Sequence, residues 1–181
     1  NLPKFTYPIS DSYNSVILIE KRLNKKYHAI FEILAVCIFE TTLVKELVEF
    51  FDSVDVHPSI KYYVNDHMND ETKHYGYFYD LLCYTWDNMP NDYKQNIGKE
   101  LANFVKLYLN IDSEKQFNQQ LLEYYLKDKK LAKKLIDKAY PGFEITPEIP
   151  IVKNVLKVLK QSGILDSIYV KDEFVQQKLY I

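Results

Sequence analysis

The sequence predicts an all-α protein, and three observations indicate this. Glycine occurs only four times in 181 residues. The seven prolines leave long stretches of chain without a helix breaker. Within those stretches apolar residues recur at three- and four-residue steps, which is the spacing of a helix that buries one face. Hydrophobic residues make up 47% of the chain and charged residues 27%. We therefore expect one helical-bundle domain over residues 1–181.

The N-terminal half predicts three helices. Ser10-Asp11-Ser12 offers an N-cap to a helix that reaches about Leu23. A second periodic stretch runs from Ile30 to Phe51, separate from the first or joined to it through an irregularity near Asn24. Residues 53–57 read as a turn, and Pro58 suits the first turn of a third helix that ends near Trp86. We predict that residues 10–90 contain the metal-binding helices argued for below.

The remaining residues, 91–181, predict further helices and a tail. Asn91-Asp92 can cap a helix from Tyr93 to about Asn110. The other elements are predicted as follows: a helix over 113–126, a lysine-rich piece at 127–139 that continues it or starts another, a break at 140–142, a linker at 143–150, a helix over 151–161 closed by Gly163, and a tail at 169–181 that lies over the bundle.

Composition excludes several classes of function. No glycine pattern of a Rossmann or P-loop nucleotide site is present. The net charge is −2, Arg22 is the only arginine, and the lysine cluster 127–134 reads as a solvated face, so nucleic acid is not expected as a partner. Cys37 and Cys83 sit in apolar surroundings, and no segment resembles a signal peptide or a membrane span. We expect a reduced, cytoplasmic protein with no membrane partner.

The third helix carries the chemistry. His67, Glu71 and His74 continue a stripe of three- and four-residue steps with Val64 and Phe78, so the stripe is expected to be buried. At 100° per residue the three side chains fall within a sector of about 60°. A buried carboxylate beside two imidazoles needs compensation, and a metal ion is the usual compensator. The alternative is a solvated helix face, since the intervening residues are polar.

The second helix supplies a partner carboxylate. Glu40 interrupts an apolar run, and a turn centred near residue 55 places it at nearly the height of Glu71 on a facing antiparallel helix. In ferritin-like di-iron bundles one helix provides a lone Glu and its neighbour a Glu-x-x-His pair. Glu40 with Glu71 and His74 has that arrangement. The sequence therefore predicts a ferritin-like helical bundle with a carboxylate and histidine metal site.

These residues resemble the non-haem di-iron N-oxygenases that convert arylamines to nitro compounds, the p-aminobenzoate N-oxygenase group. Residues 67–74 are similar to that family's H-x-x-x-E-x-x-H helix, and the 27-residue step from Glu40 to His67 is similar to its spacing between a carboxylate ligand and the extra His. The resemblance covers about residues 28–90. It implies that Glu40, His67, Glu71 and His74 bind two iron ions, with O2 as co-substrate, an arylamine as substrate and an external electron donor.

The family also carries an upstream Glu helix and an upstream E-x-x-H helix, and no match to either precedes Glu40. The chain thus resembles the second, C-terminal half of such an enzyme. The remaining ligands would come from an upstream half lost by truncation or cleavage, as the missing initiator Met favours, from a second polypeptide, or from a second copy in a homodimer. The resemblance names neither the electron donor nor the individual amine, and manganese accepts the same oxygen and nitrogen ligands as iron.

Other assignments remain open from the sequence. Glu32 competes with Glu40 as a ligand, Asp70 and Tyr75 are candidates to support the ligands, as are Tyr77 and Tyr79, and His28 and His57 are predicted surface or capping residues. The alternative functions are an iron-binding or ferroxidase-type protein without an organic substrate, and a helical interaction module that binds no metal. A zinc hydrolase fits less well because H-E-x-x-H is absent.

Overall fold

The computed structural model of the chain describes residues 11–42 and 56–180, and within these two ranges it contains α-helices, two short 3-10 helices and no strand. The all-α prediction is therefore confirmed. The helices are α1 (Asp11–Glu20), α2 (His28–Glu40), α3 (Pro58–Asn88), α4 (Asn91–Tyr108), α5 (Asp112–Leu126), α6 (Lys129–Ala139), α7 (Pro150–Gln161) and α8 (Ile168–Gln176), with 3-10 turns at Lys25–Tyr27 and Ile164–Asp166.

Side-chain caps explain where several helices begin. Asn24 accepts a hydrogen bond from the Lys26 amide, which separates α1 from α2. His57 accepts one from the Ser59 amide at the start of α3, so its predicted capping role is confirmed. The Asp128 carboxylate accepts from two amides at the start of α6, which makes the lysine-rich piece a helix of its own.

The structure bears on two further elements predicted from the sequence, the second helix and the C-terminal tail. The second predicted helix was expected to reach Phe51, but residues 43–55, with most of the predicted turn, lie outside the described residues. The predicted tail is instead helix α8, whose Val170 and Phe174 are fully buried. The spacing of these two residues places them on one face, and this face packs closely on α4, where a Cβ atom added to Gly98 would lie 3.0 Å from Val170 Cγ2.

One hydrophobic core joins most of the described helices. It takes its buried side chains from α1, α2, α3, α4, α7, α8 and the 3-10 turns, with Phe31 and Phe104 meeting edge to face at 5.4 Å between ring centroids. Helix α2 packs along α3, and α4 packs against α1 and α8. Helices α5 and α6 pack chiefly on each other and supply none of these core residues.

Both cysteines are free thiols. Cys37 is fully buried in α2, where it packs as the small apolar residue that was predicted, and Cys83 is half-buried in α3. Across the described ranges, no helix combines the length and the hydrophobicity that crossing a bilayer requires.

Candidate metal site between α2 and α3

Helices α2 and α3 run antiparallel, so the end of one lies beside the middle of the other. Their common face is apolar, with Leu34 and Ile38 of α2 and Leu82 of α3 fully buried. Ile30 lies near Tyr84 at one end of the pair, and Glu40 lies near His74 at the other. The two helices are thus antiparallel, as predicted, and Glu40 lies beside His74, three residues after Glu71, at whose height it was expected.

Glu40 and His74 form the central contact of the candidate site. The Glu40 carboxylate Oε2 lies 3.7 Å from His74 Nδ1. The Glu40 side chain is 34% exposed and that of His74 is 52% exposed, so both can reach a ligand that arrives from solvent. The His74 ring also meets Phe78 edge to face, with 6.5 Å between centroids. One carboxylate oxygen and one imidazole nitrogen from two helices suit an iron, manganese or zinc ion.

The other two predicted ligands lie earlier on α3. His67 is exposed, and its ring lies parallel to that of Tyr63 at 6.3 Å between centroids. Glu71 lies in helix α3, but its side chain is outside the described part of the structure. No group of three or more His, Cys, Asp or Glu side chains with the geometry of a metal site occurs among the residues that are described. Glu40 and His74 are therefore the two predicted ligands that the described side chains bring together.

The expected burial of the stripe on α3 was wrong. His67 and His74 are exposed, whereas the apolar residues of the stripe, Val64 and Phe78, are half-buried. The described part of α2 ends at Glu40, beside His74, while α3 extends four more turns toward its N-terminus. Those turns pass the described end of α2. Exposed histidines are what the solvated-face alternative predicts, and burial therefore gives no support to metal binding.

The side chains considered as supports make other contacts. Asp70 binds the ammonium group of Lys73 at 3.1 Å. Tyr75 lies parallel to Tyr79, with 6.2 Å between centroids, and Tyr77 is exposed beside Phe78. Burial raises the pKa of the Tyr79 hydroxyl, and its contact with Cys83 raises it further. These contacts orient the aromatic residues of α3 rather than the two histidines.

The residues that hold the end of α2 were not predicted from the sequence. Thr41 and Thr42 bond back to carbonyl groups of α2, and the Thr42 hydroxyl also lies 2.7 Å from the hydroxyl of Tyr108 on α4. Burial raises the pKa of Tyr108, and the negative charge of Glu40 adds to that shift. The Thr-Thr pair directly after Glu40 was the available signal, since threonine often bonds back to the preceding helical turn.

Glu32, the competing ligand candidate, faces α1 instead. Its carboxyl group and that of Glu20 line the same cavity, and His28 Nδ1 lies 3.7 Å from the Glu20 carboxylate. Burial and the contact with Glu32 raise the pKa of Glu20, which His28 partly offsets. His28 also contacts the Leu23 carbonyl through Nε2 at 3.2 Å, so it is a local structural residue.

An apolar groove lies along the same two helices, at the end of the pair opposite to Glu40 and His74. Its volume is about 510 Å³, within the range of small-molecule pockets. Ile30 and Ile33 of α2 and Leu81 and Tyr84 of α3 form its walls, and Met89 and Tyr93 close one end. Leu81 is seven residues from His74, which is about 10 Å along a helix.

Comparison with known proteins adds no relative: no protein-family model, no curated protein and no solved structure matches this chain.

Proposed function

We propose that this chain contributes Glu40, His67, Glu71 and His74 to the di-iron centre of a ferritin-like, O2-dependent oxygenase that acts on an organic amine. The observation that carries the proposal is the contact of Glu40 with His74 across two antiparallel helices. It fits the pairing of a lone Glu on one helix with a Glu-x-x-His pair on the next. The resemblance of residues 67–74 to the arylamine N-oxygenases points to an arylamine substrate and a nitro product.

The residues present suit such a centre. Glu40 and His74 provide a carboxylate oxygen and an imidazole nitrogen, each partly open to solvent, on helices that Leu34 and Ile38 of α2 and Leu82 of α3 anchor in the core. His67 and His74 lie two turns apart on α3, about 10 Å along the helix axis, with Glu71 between them in the sequence. Iron bound there would activate O2 for transfer of an oxygen atom to the amine nitrogen.

The chain's own residues would orient the metal ligands and the substrate. Thr42 and Tyr108 hold the end of α2 behind Glu40, and Phe78 limits rotation of the His74 ring. The apolar groove suits a flat aromatic ring, and Leu81 at its edge lies about 10 Å along α3 from His74. Further ligands must come from an upstream half, a second polypeptide or a second copy, and electrons from an external donor.

The first test is metal binding by the purified protein. Fe(II) is added without oxygen, and bound iron is counted by elemental analysis together with the mass of the assembly from light scattering. Glu40→Ala and His74→Ala are expected to lower the bound iron at least ten-fold. Glu32→Ala and His28→Ala are the matched controls. They remove one glutamate and one histidine of α2 that are not among the proposed ligands. Equal iron retention by all four variants would refute the assignment.

Turnover then separates the candidate activities. Iron-loaded protein, a chemical reductant and O2 are incubated with 4-aminobenzoate, and products are identified by mass spectrometry. Formation of the hydroxylamino or nitro product supports the N-oxygenase. Iron oxidation with O2 uptake but no amine product would favour the ferroxidase-type alternative. No bound iron in any assembly would leave the α3 stripe as a protein interaction surface.

A further inference from the structure

A hairpin of two helices lies outside the main core. We define the lysine hairpin as residues 112–139, which comprise α5 and α6. Helix α5 has no fully buried side chain, and α6 has two, Ala132 and Ile136, which pack outside the main core cluster. The Tyr140 hydroxyl, directly after the hairpin, lies 2.7 Å from Glu114 and 2.7 Å from Asn118 of α5, which closes the base of the hairpin. Most of its surface therefore faces solvent.

Positive charge is concentrated in the second half of the hairpin, since α5 carries Asp112, Glu114 and Glu123 against one lysine. Residues 127–138 hold six lysines and two aspartates, although the chain has a net charge of −2. Both aspartates have internal partners: Asp128 caps α6, and Asp137 binds Lys133 at 2.7 Å, which lowers the pKa of its carboxyl group. The lysines that remain on the exposed surface of α6 are Lys129, Lys130, Lys134 and Lys138.

Apolar side chains are exposed among these lysines. Leu131 is 42% exposed and Tyr125 is 71% exposed, and Leu126 and Leu135 are exposed as well. At 100° per residue, Leu131, Leu135, Lys134 and Lys138 share a sector of about 100° on α6. At the turn of the hairpin, Lys127 adopts a left-handed backbone conformation with φ 55°, and its ammonium group lies 4.0 Å from the centre of the Tyr124 ring.

We propose that the lysine hairpin binds the surface of an anionic lipid bilayer. Leu131, Leu135 and Tyr125 would enter the headgroup region, and the lysines beside them would contact lipid phosphate and carboxylate groups. Lysine suits this role because its long aliphatic stem can lie along apolar surface while its ammonium group stays in water. The proposal replaces the sequence-based expectations of a solvated face and of no membrane partner. It does not depend on the metal site.

Lipid fits this surface better than the other anionic partners. Nucleic-acid and carboxylate recognition favours the bidentate guanidinium group, and the hairpin has no arginine. Its exposed leucines would not be buried by contact with the phosphate backbone of a nucleic acid, whereas the interface of a bilayer would bury them. Leucine and lysine interleaved on one exposed sector of α6 are the pattern of a helix that lies in the membrane surface, and Tyr125 is exposed near the end of α5.

The full chain is tested by co-sedimentation with vesicles. One set contains phosphatidylcholine alone, and the other also contains about 30% phosphatidylserine, each at about 50 mM and about 500 mM salt. Binding is expected only to the phosphatidylserine vesicles at low salt. Lys130→Glu with Lys134→Glu is expected to weaken binding at least ten-fold. The matched control is Lys153→Glu with Lys157→Glu, an exposed pair with the same spacing on α7, which should change binding less than two-fold.

A second comparison tests the apolar contribution. Tyr125→Ser is expected to weaken vesicle binding several-fold, and Tyr62→Ser, an equally exposed change on α3, is expected to leave it unchanged. No sedimentation of the unchanged protein with phosphatidylserine vesicles would overturn the proposal, as would equal loss in the two lysine pairs. Binding to poly-glutamate without binding to vesicles would assign the surface to an acidic protein and also overturn it. Circular dichroism checks that each variant is folded.

Discussion

The hydroxyl groups of Tyr108 and Thr42 lie 2.7 Å apart and join α4 to the chain two residues after Glu40. Thr42 also lies within hydrogen-bond distance of the carbonyl groups of Ile38 and Phe39, in the last turn of α2. The end of the helix that carries Glu40 is thus held from two directions. The position of the Glu40 carboxylate relative to His74 depends on this anchor.

Replacing Tyr108 with Phe should loosen the anchor. The change removes one partly buried hydrogen bond, so we expect the free energy of unfolding to fall by about 1 kcal/mol. Urea unfolding followed by circular dichroism measures it, and Tyr62→Phe, at an exposed position on α3, is the control. If Tyr108 positions Glu40, the variant also binds Fe(II) several-fold more weakly. Unchanged stability would show that Thr42 is satisfied without Tyr108.

Alanine substitutions at two helical glycines should have opposite effects on the free energy of unfolding. Gly98 lies where α4 meets α8, and an added Cβ atom would approach the buried Val170 to 3.0 Å. Gly98→Ala should therefore lower the free energy of unfolding by about 1 kcal/mol, despite the better helix propensity of alanine. Gly76 on α3 has no atom within 4 Å of such a Cβ, so Gly76→Ala should raise stability by about 0.5–1 kcal/mol. Thermal unfolding of both variants tests this contrast. A gain at Gly98 would mean that Val170 moves freely.

The carboxyl pair of Glu20 and Glu32 makes stability depend on pH. Burial and the contact with Glu32 hold the pKa of Glu20 above its ordinary value of 4.5, so the native state binds this proton more tightly than the unfolded state. The stabilising contribution is complete below pH 4.5 and is lost as the pH rises through the raised pKa.

Glu20→Gln removes this loss because an amide cannot ionise. We expect the variant to be more stable than the unchanged protein near neutral pH and equally stable in acid, as measured by urea unfolding across the pH range. Glu144→Gln, at an exposed position, should give parallel curves. A Glu20→Gln curve that runs parallel to that of the unchanged protein would contradict the raised pKa.

The two thiols should differ in reactivity. Cys37 is fully buried, and burial, with a smaller effect from Glu40, raises its pKa to about 11. Cys83 is half-buried. In native protein at neutral pH, Ellman's reagent should modify Cys83 and leave Cys37 unmodified until the chain unfolds. The Cys83→Ser variant isolates Cys37. Rapid reaction of that variant would mean that α2 opens readily.

Most of the fold could be predicted because its boundaries are local. Proline, glycine and capping side chains determine where α3, α4, α6 and α7 begin or end, and these depend on a few neighbouring residues. The last helix was missed because its apolar spacing covers only two turns, too short to distinguish a helix from a tail. It was recognisable only through its packing on Gly98 of α4.

The sequence predicted which parts of α2 and α3 lie side by side, but it did not predict how exposed the side chains of the candidate site are. Counting residues on either side of the turn placed Glu40 at nearly the height of Glu71, because helix rise is constant, and the structure has it beside His74, one turn further along. Periodicity indicated which α3 residues share a face but not what covers that face. Burial depends on where the neighbouring helix ends, and the described part of α2 stops beside His74. The anchor from Tyr108 could not be predicted, since it joins residues 66 positions apart.

Because α5 and α6 supply no residue to the main core cluster, we expect two levels of unfolding: a local opening of the hairpin and a global unfolding of the remaining helices. Hydrogen bonds within the hairpin can open by a sub-global fluctuation that leaves the packing of Phe31 on Phe104 intact. Amide protons of α5 and α6 should then exchange with solvent at a lower free energy than those of α2 and α4. Substitutions on the hairpin would change this local opening without changing global unfolding, so this surface can vary in sequence while α2 and α3 keep their register.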